Sequence, residues 1–296
     1  MKIQSRRKLN CHPKIGYTGN GNNPKADGEY HGNKYQCYPD EFNNELKKTW
    51  NRRYAGIKSK KIYTHDPKQI KEDLYKHNPE CDNDVCMLKN VLPKKELKKV
   101  LSHYAPIANW DKDPNMWLNT TDIENVLKQY EEVFPSYVFL GVCPIDWESR
   151  IEDEYDCICK KVCDLNLQDE QQKGYTKIAS VFNLDEHDEP GSHWVATYID
   201  IPSKKMYYFD SEGLRCPTRI KKIFHNLKRS EENADLKFYS NYGVVHQKSN
   251  HECGMYCIYF ILYMIKYNDF GHFSDVKVLI SDKEMGKLRQ KYFNVL

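Results

Sequence analysis

The sequence predicts an α+β protein, an antiparallel sheet packed on one side by helices, with a small helical module ahead of it. Three observations carry that reading. Helix-like patterns occupy the first third of the chain, and short runs rich in β-branched and aromatic residues follow from residue 137. Near the end, Cys253–Lys266 is apolar on nearly every face, as a buried central helix must be. Helices, then strands, then a core helix is the element order of an α+β fold.

In the first third, Pro39-Asp40 opens a helical stretch through Glu41–Trp50, and a second runs through Asp66–His77 with Pro67 near its start. The module ends near the segment CDNDVCM at 81–87. Residues 11–37, rich in Gly, Asn, Pro and Lys, read as a loop or arm. From Trp117 to Tyr130, apolar residues at Leu118, Ile123, Val126, Leu127 and Tyr130 recur at helical spacing. Tyr137–Val142 reads as a buried strand, and Tyr175–Leu184, His193–Ile201, Lys205–Phe209 and Lys237–Tyr242 as further strands. Pro202-Ser203-Lys204 joins two of these as a hairpin, and Pro217–Lys228 is an amphipathic helix.

At 296 residues the chain is long enough for one large domain or two small ones. Charged residues make up 29% and hydrophobic ones 40%, a globular rather than a disordered balance. The net charge of +3 conceals an asymmetry. Residues 1–100 hold 22 Lys+Arg against 12 Asp+Glu, and the remainder holds 23 against 30. A basic module could meet a polyanion, and a solvated lysine-rich surface is the plainer alternative. The 11 cysteines are odd in number and show no small-scaffold spacing. With no signal-peptide core at the start and no bilayer-length apolar run, free thiols in a reducing intracellular compartment are expected. Cys143, Cys157, Cys159 and Cys163 cluster, as do Cys11-His12, Cys37, Cys81 and Cys86. Both sets are too irregular in spacing to predict a metal site.

Cysteine nucleophiles need a base, a group that orients the base, and donors for an oxyanion. Cys253 follows the polar loop QKSNHE and opens the apolar helix, where unpaired N–H groups and the helix dipole favour a thiolate. His193 starts a strand after EHDEPGS, and Asp210 ends the next strand in YYFDS. If these strands pair about 202–204, both residues lie at the same open end, and Asp210 can fix the imidazole tautomer. The amide of Gln247 could donate to an oxyanion beside the Cys253 N–H, and Gly254 leaves room for a substrate backbone. Taken singly, each has a plain structural reading: a buried small hydrophobe, a surface His, a turn Asp, a loop Gln.

Together the blocks HWVATYID, YYFDS and QKSNHECG, preceded by WLNTTDIENVLKQYE at 117–131, resemble the ubiquitin-like-protein (SUMO-type) and adenovirus-type cysteine proteases. CDNDVC and the ending ISDKEMGKLRQKYF resemble the polyprotein-processing proteases of large cytoplasmic DNA viruses, of the African swine fever virus type. This resemblance implies a papain-like cysteine protease fold of the SUMO-protease type, a central mostly antiparallel sheet packed by helices. It implies a catalytic domain over 96–296 and an extra basic, mainly helical domain over 1–95. Cys253 would be the nucleophile, His193 the base, Asp210 its orienting partner and Gln247 an oxyanion donor. Trp117 and Trp194, at positions that roof the substrate channel in the family, would admit only Gly at the last two residues before the cut. Viral core or structural polyproteins cleaved at Gly-Gly-Xaa sites would be the substrates, in virions and host cytoplasm, with no cofactor, metal or membrane. Nucleic acid or virion core could be met by the basic N-terminal domain. The alternatives are removal of SUMO or ubiquitin-like tags from host proteins, and a binding protein that keeps an inactive protease fold.

Overall fold

The computed structural model describes residues 42–81, 84–97, 113, 115–131, 134–150 and 156–293. The arm at 11–37, with Cys11, His12 and Cys37, lies outside them. The described residues fall into two compact units, one of 42–97 and 290–293 and one of 113–289.

In the first unit, α1 (Phe42–Arg53), α2 (Pro67–His77) and α3 (Asp84–Val91) surround one core. Each of α1 and α2 offers an i, i+4 apolar pair to it, Leu46 with Trp50 and Ile70 with Leu74. Asp66 caps α2 by accepting from the Lys68 amide at 2.9 Å, and Pro67 occupies the first turn. Between α1 and α2 the chain is tied down by Asn51, which both donates to and accepts from the backbone of Ile62. Leu97 still packs into this core.

The second unit holds α4 (Thr120–Gln129), β1 (Tyr137–Cys143), α5 (Lys160–Cys163), α6 (Leu167–Gln172), β2 (Lys177–Asn183), β3 (Trp194–Asp200) and β4 (Lys205–Phe209). Then come α7 (Thr218–Leu227), β5 (Lys237–Ser240), α8 (Cys253–Tyr267), α9 (Gly271–Ser274) and α10 (Asp282–Tyr292), of which residues 282–289 belong to this unit. The five strands run in chain order across one sheet. Its centre, β2-β3-β4, is antiparallel as expected; both edge pairings, β1 with β2 and β4 with β5, are parallel. The cause lies in the connections. The segments between β1 and β2 and between β4 and β5 carry helices, and such crossovers return the chain in the same direction.

Helices cover both faces of the sheet rather than the one expected. Val195 and Ile199 of β3 pack with Ile220, Ile223, Phe224 and Leu227 of α7. Side chains alternate along a strand, so Tyr198 points the other way, and its ring meets Phe260 of α8 edge-on at 6.5 Å. Phe209 stacks on the same Phe260 at 4.8 Å. Every residue of β3 is therefore buried, and so is every residue of α8 except Tyr263, Lys266 and Tyr267. An apolar strand and an all-round apolar helix satisfy each other.

The helix expected from Trp117 begins at Thr120. Asn119 and Asp122 form a reciprocal capping box, with side chain to amide distances of 2.9 and 3.1 Å, and leave Trp117 ahead of the helix. Free thiols are also corrected. Cys81 bonds to Cys86, Cys143 to Cys159 and Cys157 to Cys163. Among the described residues Cys216, Cys253 and Cys257 are free. Connectivity of this kind cannot be deduced from spacing alone. No helix of the described residues is long and apolar enough to cross a membrane.

Ile220 is fully buried where α7 meets the sheet. Ile220→Ala should destabilise the protein by about 2–5 kcal/mol, and Ile220→Val by about 1 kcal/mol. Urea unfolding followed by circular dichroism measures both; equal midpoints for the two variants would place α7 off the core.

Candidate active site

The β3–β4 hairpin sets two of the residues. Ala196 pairs with Phe209 and Asp200 with Lys205, so the ladder turns about Ile201–Lys204 and opens at the other end. His193 immediately precedes β3 and Asp210 immediately follows β4, so both sit at that open end. His193 Nε2 lies 2.8 Å from Asp210 Oδ1, with the imidazole 11% exposed and the carboxylate fully buried. The carboxylate also accepts from the Glu212 amide at 2.8 Å and from the Tyr208 hydroxyl at 3.5 Å.

The turn that carries Asp210 is clamped by Asn241, a buried residue absent from the sequence-based site. Its side-chain oxygen accepts from the Asp210 amide at 2.9 Å, and its nitrogen donates to the Asp210 carbonyl at 2.7 Å. Gly213 closes the turn in the left-handed region at φ 67°, where a Cβ would lie 2.7 Å from the Val244 carbonyl oxygen. On the His193 side, Asn183 accepts from the amides of Asp185 and Ser192, which ties both ends of the loop that delivers the histidine.

Cys253 is the first residue of α8 and is buried. Asp210 holds Nε2 of His193, which leaves Nδ1 as the ring nitrogen for the thiol. Burial pushes the imidazole toward its neutral form. Hydrogen bonds to Asp210 and Cys253, and the charges on both, outweigh burial, so the His193 pKa is pushed up to about 10. His246 is the other deeply buried histidine beside this region, and burial lowers its pKa. It donates to the Phe273 carbonyl and accepts from the Ile280 amide, so both its nitrogens are used in packing.

Gln247 is buried with its amide orientation fixed. Its nitrogen donates to the Ser249 carbonyl at 2.6 Å, and its oxygen accepts from the Ser211 hydroxyl at 2.9 Å. Since the amide nitrogen has two hydrogens, one remains beyond that bond. Gly254 has a different reason from the one expected. A Cβ there would meet Leu118 Cβ at 3.1 Å and Ile123 Cδ1 at 3.4 Å. The space is taken by the protein's own α4 segment, not left for a substrate backbone.

Trp117 and Trp194 line one cleft of about 410 Å³, together with Leu118, Asn119, Asn183 and Gly191. Trp194 is buried, and its indole N–H donates to the Leu118 carbonyl at 2.9 Å. Trp117 is 42% exposed. The indole of Trp194 is thus a fixed wall and Trp117 an open flank. The lining ends one residue from His193.

An acid–imidazole–thiol line at a helix start, beside a cleft walled by indoles, is the arrangement of a cysteine peptidase. Residues 176–295 match the Ulp1 protease family, C-terminal catalytic domain. That segment is similar to the catalytic domain of this family. Over 185 residues the chain is 34% identical to a putative thiol protease of Acanthamoeba polyphaga mimivirus, covering 60% of this chain and 56% of that one. Over 119 residues it is 28% identical to a cysteine protease of African swine fever virus, covering 39% of this chain and 43% of that one. The same protein of another isolate, also 28% identical over 119 residues, is named a SUMO-1 cysteine protease. The chain spans about half the length of these relatives. The crystal structure of the African swine fever virus protease superposes with a TM-score of 0.60 at 19% identity, covering 79% of this chain and 91% of that one. That likeness shows the fold.

The imidazole titration follows from the contacts. The folded pKa of His193 lies above its ordinary value of 6.5. Its contribution to stability is therefore full below pH 6.5 and is lost as pH rises through about 10. An NMR titration of the His193 ring should show its midpoint near pH 10, and Asp210→Asn or Cys253→Ala should each lower it. A wild-type midpoint at the ordinary value would mean that the three groups do not interact.

Proposed function

We propose that the chain is a cysteine endopeptidase that cuts viral core or structural polyproteins after Gly-Gly. The observation that carries this reading is the single imidazole shared by a buried carboxylate and the thiol at the start of α8. Cys253 is the nucleophile, His193 the acid–base group and Asp210 the residue that orients it. Their chemistry runs as acyl transfer. The Cys253 sulfur, as thiolate beside the imidazolium, attacks the carbonyl carbon of the second Gly. The oxyanion is met by the Cys253 N–H and the remaining hydrogen of the Gln247 amide. His193 gives its proton to the leaving amine, and the C–N bond breaks to leave a thioester. His193 then takes a proton from water, hydroxide adds to the thioester, and the sulfur departs with the carboxylic product released.

Gly-Gly selectivity rests on the cleft. The hydrogen bond from Trp194 to Leu118 holds that indole against movement, so a side chain at the last two residues before the cut meets a packed wall. The viral relatives, named as thiol or cysteine proteases, support a protease that acts in infected cells. The relative named a SUMO-1 cysteine protease supports the second reading, removal of a SUMO-like tag. Both readings end the substrate in Gly-Gly and differ in the surface that holds the rest. The excess of Lys and Arg in residues 1–100 suits contact with nucleic acid or virion core, which would weaken with salt.

The reading is tested with Gly-Gly, Ala-Gly and Gly-Ala peptides and a SUMO precursor. Wild type should cleave Gly-Gly, and each added methyl should cost about 1–3 kcal/mol in kcat/KM. Cys253→Ala should be folded and inactive, whereas Cys257→Ala should cleave. Trp194→Ala should slow Gly-Gly cleavage and narrow the gap to the Ala peptides. Activity in Cys253→Ala removes the peptidase assignment; equal wild-type rates on all three peptides remove the channel. Faster turnover of the SUMO precursor than of any polyprotein peptide would favour the tag-removing reading.

A further inference from the structure

Arg289 is 2% exposed in α10, and a buried guanidinium is costly unless its donors are met. Three of its nitrogens go to three separate places. Nε donates to Glu252 Oε2 at 2.8 Å, Nη2 to the His251 carbonyl at 2.9 Å, and Nη1 to the Met116 carbonyl at 2.8 Å. Two of these acceptors immediately precede Cys253. The third immediately precedes Trp117.

On the nucleophile side, Glu252 is the cap residue of α8, yet its side chain makes no capping bond to the helix. Instead its 4%-exposed carboxylate is turned to Arg289. The backbone of Glu252, at φ −105° and ψ 1°, sits in the sparsely populated bridge region, and its carbonyl accepts the first α8 bond, from Tyr256. Holding the His251 carbonyl also fixes the plane of the 251–252 peptide. On the cleft side, segment 116–118 is gripped at both ends. Arg289 holds the Met116 carbonyl and Trp194 holds the Leu118 carbonyl, while Leu118 fills the space above Gly254.

We propose that Arg289 is a positioning residue that sets the Cys253 turn and the Trp117 flank of the cleft as one unit. This rests on the reading of Cys253 as nucleophile. Neither segment is placed by its own helix alone: the turn lacks a side-chain cap, and Trp117 precedes the α4 capping box. The planar fork of arginine reaches all three acceptors at once; a lysine nitrogen can keep Glu252 but cannot span the others. Misplacement of a reacting group by about 1 Å can cost about 100-fold in rate. A merely stabilising ion pair would change the folded fraction and leave turnover per folded molecule untouched.

Arg289→Lys separates the two roles. A second variant, Arg289→Met with Glu252→Gln, removes both buried charges and leaves none unpaired. Both should fold by circular dichroism. In each, kcat/KM per folded molecule on a Gly-Gly peptide should fall at least about tenfold, with kcat carrying more of the loss than KM. Alkylation of Cys253 by iodoacetamide, which needs the thiol and not the cleft, should stay within about threefold of wild type. Wild-type turnover in either folded variant overturns the inference and leaves the peptidase reading intact. A parallel fall in alkylation places the loss in the thiol and overturns the coupling of turn to cleft. If wild type fails to cleave, or Cys253→Ala cleaves, the peptidase reading fails and the inference falls with it.

Discussion

A carboxylate with no exposure at all is the constraint around which this site is arranged. Asp210 cannot hold its charge there without donors, since removing an ionised group from water costs several kcal/mol even after relaxation. The donors it finds are the imidazole of His193, the Glu212 amide and the Tyr208 hydroxyl. Two of these three lie within two residues of Asp210, so the turn supplies them locally. The third comes from the neighbouring strand and arrives only if the β3–β4 hairpin is in register. A one-residue slip would turn Val195 and Ile199 away from α7 and withdraw His193 as well. Core packing and site geometry are therefore enforced by the same pairing.

The thiol is placed by a different economy. An all-round apolar helix has to be enclosed, and the sheet encloses α8 on the face of Tyr198 and Phe209. Its first turn nevertheless has backbone N–H groups that no residue within the helix can accept from. A helix end of that kind, buried beside a strand end that carries an imidazole, brings the thiol next to a group that can exchange a proton with it. The raised pKa of His193 is the counterpart: burial alone would strip its proton, and the two negative partners retain it.

What could be read in the sequence was whatever depends on local pattern. The hairpin about 202–204 placed His193 and Asp210 at one end because strand periodicity and turn residues fix register within a few residues. The loop-to-helix junction at Cys253 was visible as a change from polar to apolar. Contacts between distant segments were not visible. Gly254 looked like room for substrate until Leu118 was found in that room. Asn241 lay inside the expected strand Lys237–Tyr242, and nothing local marks it as the clamp on Asp210. Edge strands looked antiparallel because a strand's direction is set by its connection, not by its own residues. The disulfides escaped for a similar reason, each joining cysteines whose spacing admits several partners. Arg289 did carry a signal. It lies four residues after Met285, and so on the same buried stripe of α10. A charged residue in the apolar phase of a helix is a residue with a partner to be found.

The site is assembled from segments near residues 117, 193, 210 and 252, and chain connectivity leaves each free to move against the others. Side chain to backbone hydrogen bonds between segments remove that freedom. Asn241 holds the Asp210 turn, Asn183 the loop before His193, Trp194 the Leu118 carbonyl, and Arg289 the backbone at 116 and 251. In each case the side chain grips a main-chain group, so what is fixed is the path of the backbone and not merely one rotamer. Cleavage by acyl transfer gains most when donors and nucleophile are already in place before charge develops. A network that commits Asn, Trp and Arg side chains to backbone position, and keeps His193, Asp210 and Cys253 for one another, provides that preorganisation.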